Sequence, residues 1–222
     1  METVQYMIHA CPKRMWYVDK FLIPSMLEQG IERDEIEVRN DDKGKGNLLQ
    51  CMESFKDCGE REGGIWHLQD DVIISGDFHK RTKELNNGVV CGFCCQKFES
   101  EATRSGDVYP EHMWYSFPCI RIPNRLAKEC SEWFFDDASK RRVWAFEVNS
   151  KKYDDFFWRE FMIERYPTVK VVNLRPSLVD HIDYLIGGSI INTLRKGQGR
   201  ACYFEDEHLI KKLEEQLKNR GK

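Results

Sequence analysis

Apolar and polar residues alternate in well-defined blocks along the first third of the chain. Residues 4–10 (VQYMIHA) form a run that predicts a strand, ended by Cys11-Pro12. Apolar positions at helical spacing over residues 16–27 predict a helix that Pro24 kinks or starts late and Gly30 stops. Residues 35–38 (EIEV) predict a second strand that runs into Asn40-Asp41-Asp42. Lys43-Gly44-Lys45-Gly46 is a loop, and Asn47 is an N-cap candidate for a helix reaching Cys58. Gly63-Gly64 then opens the clearest strand of the chain, IWHLQDDVIIS. Strand, helix, strand, helix, strand in this order predicts an α/β sheet with parallel strands. The remainder is more mixed. Residues 89–95, 114–122 and 168–174 predict strands, and residues 124–135 and 152–165 predict helices. A charged amphipathic helix is expected over residues 208–220.

Composition adds bounds to this outline. A chain of 222 residues with 41% apolar and 32% charged residues is long enough for one well-packed domain. The formal net charge of -3 gives no global positive field, so nucleic-acid binding does not follow from charge. The N-terminal METVQYMIHACPKR lacks the apolar run of a signal peptide, and no stretch has the length of a membrane span, so no membrane partner is expected. Nine cysteines, odd in number and irregular in spacing, do not suggest a disulfide framework and fit a reducing, cytoplasmic setting.

Four segments carry candidate chemistry. Asp70 and Asp71 interrupt the apolar run IWHLQDDVIIS, where two adjacent carboxylates are costly unless the strand breaks or a cation compensates them. Strand alternation would put them on opposite sides with different tasks. His181, just beyond a strand in RPSLVDHI, can ligate a metal through a neutral ring nitrogen, or can be an ordinary loop histidine. Asp154 and Asp155 precede an aromatic helix, as caps favoured by the helix dipole or as a general base. Asn40-Asp41-Asp42 followed by KGKGN suits a nucleotide, with carboxylate to base or ribose and lysine to phosphate, although it is not a Walker loop.

The order and wording of these segments resemble GT-A fold glycosyltransferases, the nucleotide-diphospho-sugar transferases. HACPKR matches the nucleotide-contacting segment after the first strand, LQDD matches a D-x-D variant with Gln69 at its first position, and PSLVDHI resembles the segment that carries the family's late histidine. The resemblance spans residues 3–192 and implies a single α/β domain, GT-A-like and Rossmann-like, with a mixed central sheet flanked by helices. It bounds that domain at residues 1–205, with a C-terminal charged helix at 206–222. It implies Mn²⁺ or Mg²⁺ held by Asp71 and His181, and a donor, first of all a UDP-sugar, contacted by Ala10, Pro12, Arg14, Asp41, Lys45, Asn47 and Asp70. In inverting members an acid before a late helix is the base that deprotonates the acceptor, a role that falls to Asp155 or Asp154; the resemblance does not specify inversion or retention. It specifies no acceptor; the basic run Arg195 to Arg200 and the pair Arg141-Arg142 permit DNA carrying a hydroxylated base, as well as a glycan. If the metal assignment holds, Asp71 and His181 approach within about 8 Å of each other.

Two other readings compete. The same basic run fits a non-catalytic nucleotide- or nucleic-acid-binding protein. Cys91-Gly92-Phe93-Cys94 matches the C-x-x-C of thiol oxidoreductases, but it closes an apolar run instead of opening a helix, so core or strand cysteines fit better.

Overall fold

The computed structural model describes residues 4–85, 87–93, 108–110, 118–136, 154–187, 201 and 204–220, with side chains from residue 157 onward in the helix that starts at Asp154. Six strands form one sheet: β1 (Tyr6–Ala10), β2 (Ile36–Asn40), β3 (Gly64–Gln69), β5 (Val90–Cys91), β6 (Cys119–Pro123) and β7 (Val172–Asn173), in the order β2-β1-β3-β6-β5-β7. β1 lies parallel to both β2 and β3, β6 runs antiparallel to β3 and β5, and β5 and β7 are parallel. One strand therefore runs against the other five, and the sheet is mixed, not purely parallel. β4 (Val72–Ile74) leaves this sheet and pairs antiparallel with β8 (Val179–His181) in a second, two-stranded sheet.

Helices cover both faces. β1 is buried along its whole length, which explains why its sequence is nearly continuous in apolar residues. On one face Tyr6, Ile8 and Ala10 pack against a helical run that starts with the 3₁₀ turn Pro12–Arg14. The run continues through α1 (Met15–Tyr17), a π turn (Val18–Leu22) and α2 (Ile23–Glu28). Pro24 has no N–H to continue the ladder, and the chain absorbs this just upstream, where the Ile23 N–H reaches back to the Val18 carbonyl. Gly30 ends the run with φ of 82°: its N–H bonds to the Leu27 carbonyl at 2.9 Å and the Ile31 N–H to that of Met26 at 3.2 Å, a Schellman closure. α4 (Phe78–Glu84) and the C-terminal helix α7 (Glu207–Arg220) lie on this face too, through Phe78, Ile210 and Leu213.

The opposite face carries α3 (Asn47–Cys58), α5 (Asn124–Asp136) and α6 (Asp154–Arg165). Phe55, Ile120, Ile122, Phe134, Trp158 and Phe161 form its core. Asn47 is the first residue of α3, and Gly46, with φ of 92°, takes the cap position expected of it. Among the described residues no helix is long and apolar enough to cross a membrane.

Candidate functional site

The chain passes from β1 to β2 on one side and then returns past β1 to form β3 on the other. The carboxyl ends of β1 and β3 therefore flank a topological switch point, where an open α/β sheet leaves a crevice for a ligand. His9, Ala10 and the turn Cys11–Arg14 come from β1, Gln69, Asp70 and Asp71 from β3, and Asp41 follows β2.

β3 stops at Gln69, and the two acids stand at the turn before β4. Strand alternation stops there as well. Instead of lying on opposite sides, both carboxylates meet one guanidinium nitrogen: Arg14 Nη1 donates to Asp70 Oδ1 at 2.8 Å and also to Asp71 Oδ2. Arg14, Asp70 and Asp71 are all buried, with exposures of 6%, 5% and 5%. The rest of Asp70 is satisfied by the Cys11 N–H, which donates to Oδ2 at 2.7 Å, so this side chain fixes the turn that carries Arg14. Asp71 differs: His181 Nε2 lies 3.0 Å from Oδ2, and Oδ1 is buried with no hydrogen-bond partner among the described residues.

The β4–β8 pair brings His181 here. Its register sets His181 opposite Val72, one residue beyond Asp71, and the Ile182 N–H closes the ladder on the Asp71 carbonyl at 2.8 Å. The expected approach is met, through a small antiparallel sheet and not through the shared edge of the main one. Asp180, fully buried beside His181, accepts the backbone N–H groups of His181 at 2.8 Å and Ala201 at 2.7 Å. Asp183 Oδ1 lies 4.0 Å from His181 Nδ1. The expected site residues include neither Asp180 nor Asp183; the D-H-I-D spacing was their signal, legible once residues 179–181 are known to be a strand.

These contacts set the charge states. Burial alone would raise the Asp71 pKa, but His181 and Arg14 outweigh it and hold the carboxyl at about 2. For Asp70, burial and the neighbouring Asp71 charge prevail over Arg14 and raise the pKa. Burial opposes the charge on His181 as well, and Asp71 more than offsets it, so the imidazole pKa is raised.

The other expected residues surround this centre. The Ala10 carbonyl accepts the Asp41 N–H at 2.9 Å. Pro12 opens the 3₁₀ turn. The Asp41 carboxylate accepts the N–H groups of Lys45 and Gly46, both at 2.8 Å, and so shapes the KGKG loop. Lys45 Nζ pairs with Glu53 at 2.6 Å on a half-exposed surface, a contact of little net strength. Gln50, absent from the expected set, ties α3 to the strand ends through the Arg39 carbonyl at 2.6 Å and the Ala10 carbonyl at 3.4 Å. Asp154 opens α6, but the side chains of Asp154 and Asp155 lie outside the described residues, as do Cys94, Arg141, Arg142 and the run from Arg195 to Arg200. Cys91 is buried in β5, and among the described residues Cys11, Cys58, Cys119 and Cys130 are free thiols.

Among the described residues no group of three or more His, Cys, Asp or Glu is arranged to hold a metal ion by itself. Asp71 and His181 would supply only two ligands to an ion, and Arg14 Nη1 holds Asp71 Oδ2 in this structure. Their 3.0 Å contact is a hydrogen-bonded pair in which, against burial, Asp71 raises the His181 pKa. Asp71 Oδ1, without a partner among the described residues, offers a further oxygen. A separate groove of about 660 Å³, lined by Tyr17, Phe21, Ile74 and Leu213 among others, contains none of the expected site residues. No protein-family model and no curated protein matches the chain.

Proposed function

We propose that this protein is a metal-dependent glycosyltransferase that moves a sugar from a nucleoside-diphosphate donor, a UDP-sugar first of all, to a hydroxyl acceptor. The observation that carries this reading is the Asp71–His181 pair, 3.0 Å apart, with Asp71 buried and His181 half-buried beside the switch point of the sheet. Such a crevice suits a nucleotide, and an acid–imidazole pair suits a divalent ion shared with its phosphates. Support also comes from the mixed sheet and the order HACPKR, QDD, PSLVDHI, on which the resemblance to GT-A glycosyltransferases rests. Free thiols in the core fit the cytoplasm as the place of work.

Asp71 and His181 would hold Mn²⁺ or Mg²⁺, and the imidazole favours Mn²⁺. When bound, the ion neutralises charge that develops on the leaving diphosphate. Asp70 orients the turn on which Arg14 rides, keeping a guanidinium at the same end of the crevice. Asp41 shapes the loop that carries Lys45 and Asn47, and Lys45, paired with Glu53 in this structure, would turn to a nucleotide's phosphate. Asp155 or Asp154, at the start of α6, takes the acceptor hydroxyl proton. If the reaction inverts, the acceptor oxygen bonds to the sugar's anomeric carbon as its bond to the diphosphate breaks, and the diphosphate leaves with the bonding pair.

The test is turnover of a panel of UDP-sugars by the purified full chain, with Mn²⁺ and with EDTA, beside Asp71→Asn. Release of UDP that needs both Mn²⁺ and Asp71 is expected; release unaffected by EDTA or by Asp71→Asn contradicts the reading. Acceptors are separated by supplying glycans or hydroxymethylated duplex DNA.

A further inference from the structure

The groove of about 660 Å³ stands apart from the crevice, and its place in the fold gives it a direction. Its floor is β4, through Ile73 and Ile74. One wall is the helical run from Tyr17 to Gln29, and the other is α7 from Leu209 to Asn219. The Gln29 side-chain amide donates to the Ser75 carbonyl at 2.8 Å, and the Gly76 N–H donates to Asp206 Oδ2 at 2.8 Å, immediately before α7. α7 therefore starts at the end where α2 stops, and the two walls run in opposite directions. The other end is fixed by Tyr17, whose hydroxyl donates to the Val72 carbonyl at 2.8 Å. Ile73, the first strand residue of the floor, stands two residues after Asp71, about 7 Å along the chain.

The lining selects the occupant. The volume falls in the range of small-molecule sites, about 300–1,000 Å³. Six polar side chains border the groove: Lys20, Ser25 and Glu28 on one wall, Lys212, Gln216 and Asn219 on the other. None has a hydrogen-bond or ion-pair partner among the described residues. Ser25, Gln216 and Asn219 can each donate and accept, Glu28 accepts, and the lysines donate. Sugar hydroxyls also donate and accept, so they can use all six, while Phe21 and Ile73 offer apolar surface to sugar C–H faces. A DNA strand is a poorer match. It carries one phosphate charge about every 3.4 Å and calls for a run of cations, whereas two lysines here share the groove with the Glu28 carboxylate. Resting on the glycosyltransferase reading, we infer that this groove binds the acceptor, and that the acceptor is a glycan laid along β4 with its reactive end toward Tyr17.

Binding is measured apart from turnover. Full-length wild type, the double variant Gln216→Ala, Asn219→Ala, and Glu28→Lys are applied to an array of immobilised oligosaccharides and to hydroxymethylated duplex DNA. All three positions are exposed, and alanine favours the helix, so the fold should persist. Wild type is expected to retain one class of glycan. The double variant should bind that glycan about tenfold more weakly, through the loss of two hydrogen bonds. Glu28→Lys should weaken it severalfold as well, because an acceptor of hydroxyl protons is lost. No glycan retained by wild type, or glycan binding equal in all three proteins, overturns the groove assignment. Duplex binding that Glu28→Lys strengthens, with no glycan bound, overturns it in favour of nucleic acid. Glycan binding that falls in both variants, while UDP release needs neither Mn²⁺ nor Asp71, sustains the glycan site and overturns the transfer reading alone.

Discussion

Asp70 and Asp71 are chain neighbours with different surroundings, and their tasks follow from the difference. Asp70 has both oxygens engaged by Arg14 and the Cys11 N–H, so it builds the turn. Asp71 keeps a buried oxygen beside His181 that has no partner among the described residues. Asp71→Asn preserves shape and removes charge; it is expected to lower transfer by about 10²–10³-fold while the circular dichroism spectrum stays unchanged. A second residue-scale consequence concerns His9 and His67, buried at 5% and 0% exposure, with ring nitrogens 3.0 Å apart and rings stacked. Burial, with Arg39 adding to it, lowers the His9 pKa from 6.5 to about 4. Burial and the neighbouring His9 push His67 well below 6.5. The unfolded chain therefore binds more protons below pH 6.5; this stability is complete above about pH 6.5 and is lost as pH falls toward about 4. From pH 7 to pH 5 urea denaturation should report a loss of roughly 2 kcal/mol from His9 alone. A His9→Leu, His67→Phe double variant should remove this slope, and an unchanged slope would show that the pair does not cause it.

At the scale of elements, closures and clips are more informative than strand lengths. Gly30 ends the first helical run in the left-handed region, so Gly30→Ala should cost about 1–2 kcal/mol in chemical denaturation. Asp180 clips β8 to Ala201 by accepting two backbone N–H groups. Asp180→Ala leaves both donors unpaired and should cost about 2–4 kcal/mol, with faster amide exchange in α7. The helix stop at Gly30 and the strand break at the double acid were legible because each depends on local chemistry: a positive φ, and the cost of burying two charges. Three features were not legible. α4 is largely polar, FHKRTKE, and reads as loop until Phe78 is seen docked in the core. β8 is three residues long and exists through its pairing with β4. The His9–His67 pair depends on register: Met7 faces His67 and His9 faces Gln69, so the two histidines meet diagonally on one face. Register follows from the packed sheet, and no local pattern in either strand specifies it.

For the whole molecule, topology does what sequence separation obscures. The α/β class was readable from element order, but that order predicted parallel strands; the reversed β6 makes the sheet mixed, as only the family resemblance implied. The switch point then gathers the β1 turn, the double acid and the β8 histidine at one end of the sheet. If this crevice binds a nucleoside diphosphate through an ion, binding of the two is linked, and stability should report it. UDP with Mn²⁺ should raise the melting temperature more than UDP or Mn²⁺ alone, and equal shifts for UDP in Mn²⁺ and in EDTA would argue against a bridging ion. The most direct measurement is isothermal titration of UDP into wild type and Asp71→Asn, each in Mn²⁺ and in EDTA. The account predicts binding by wild type in Mn²⁺ that weakens at least about tenfold in EDTA and in Asp71→Asn. UDP binding of equal strength in all four titrations, or none in any, would contradict it.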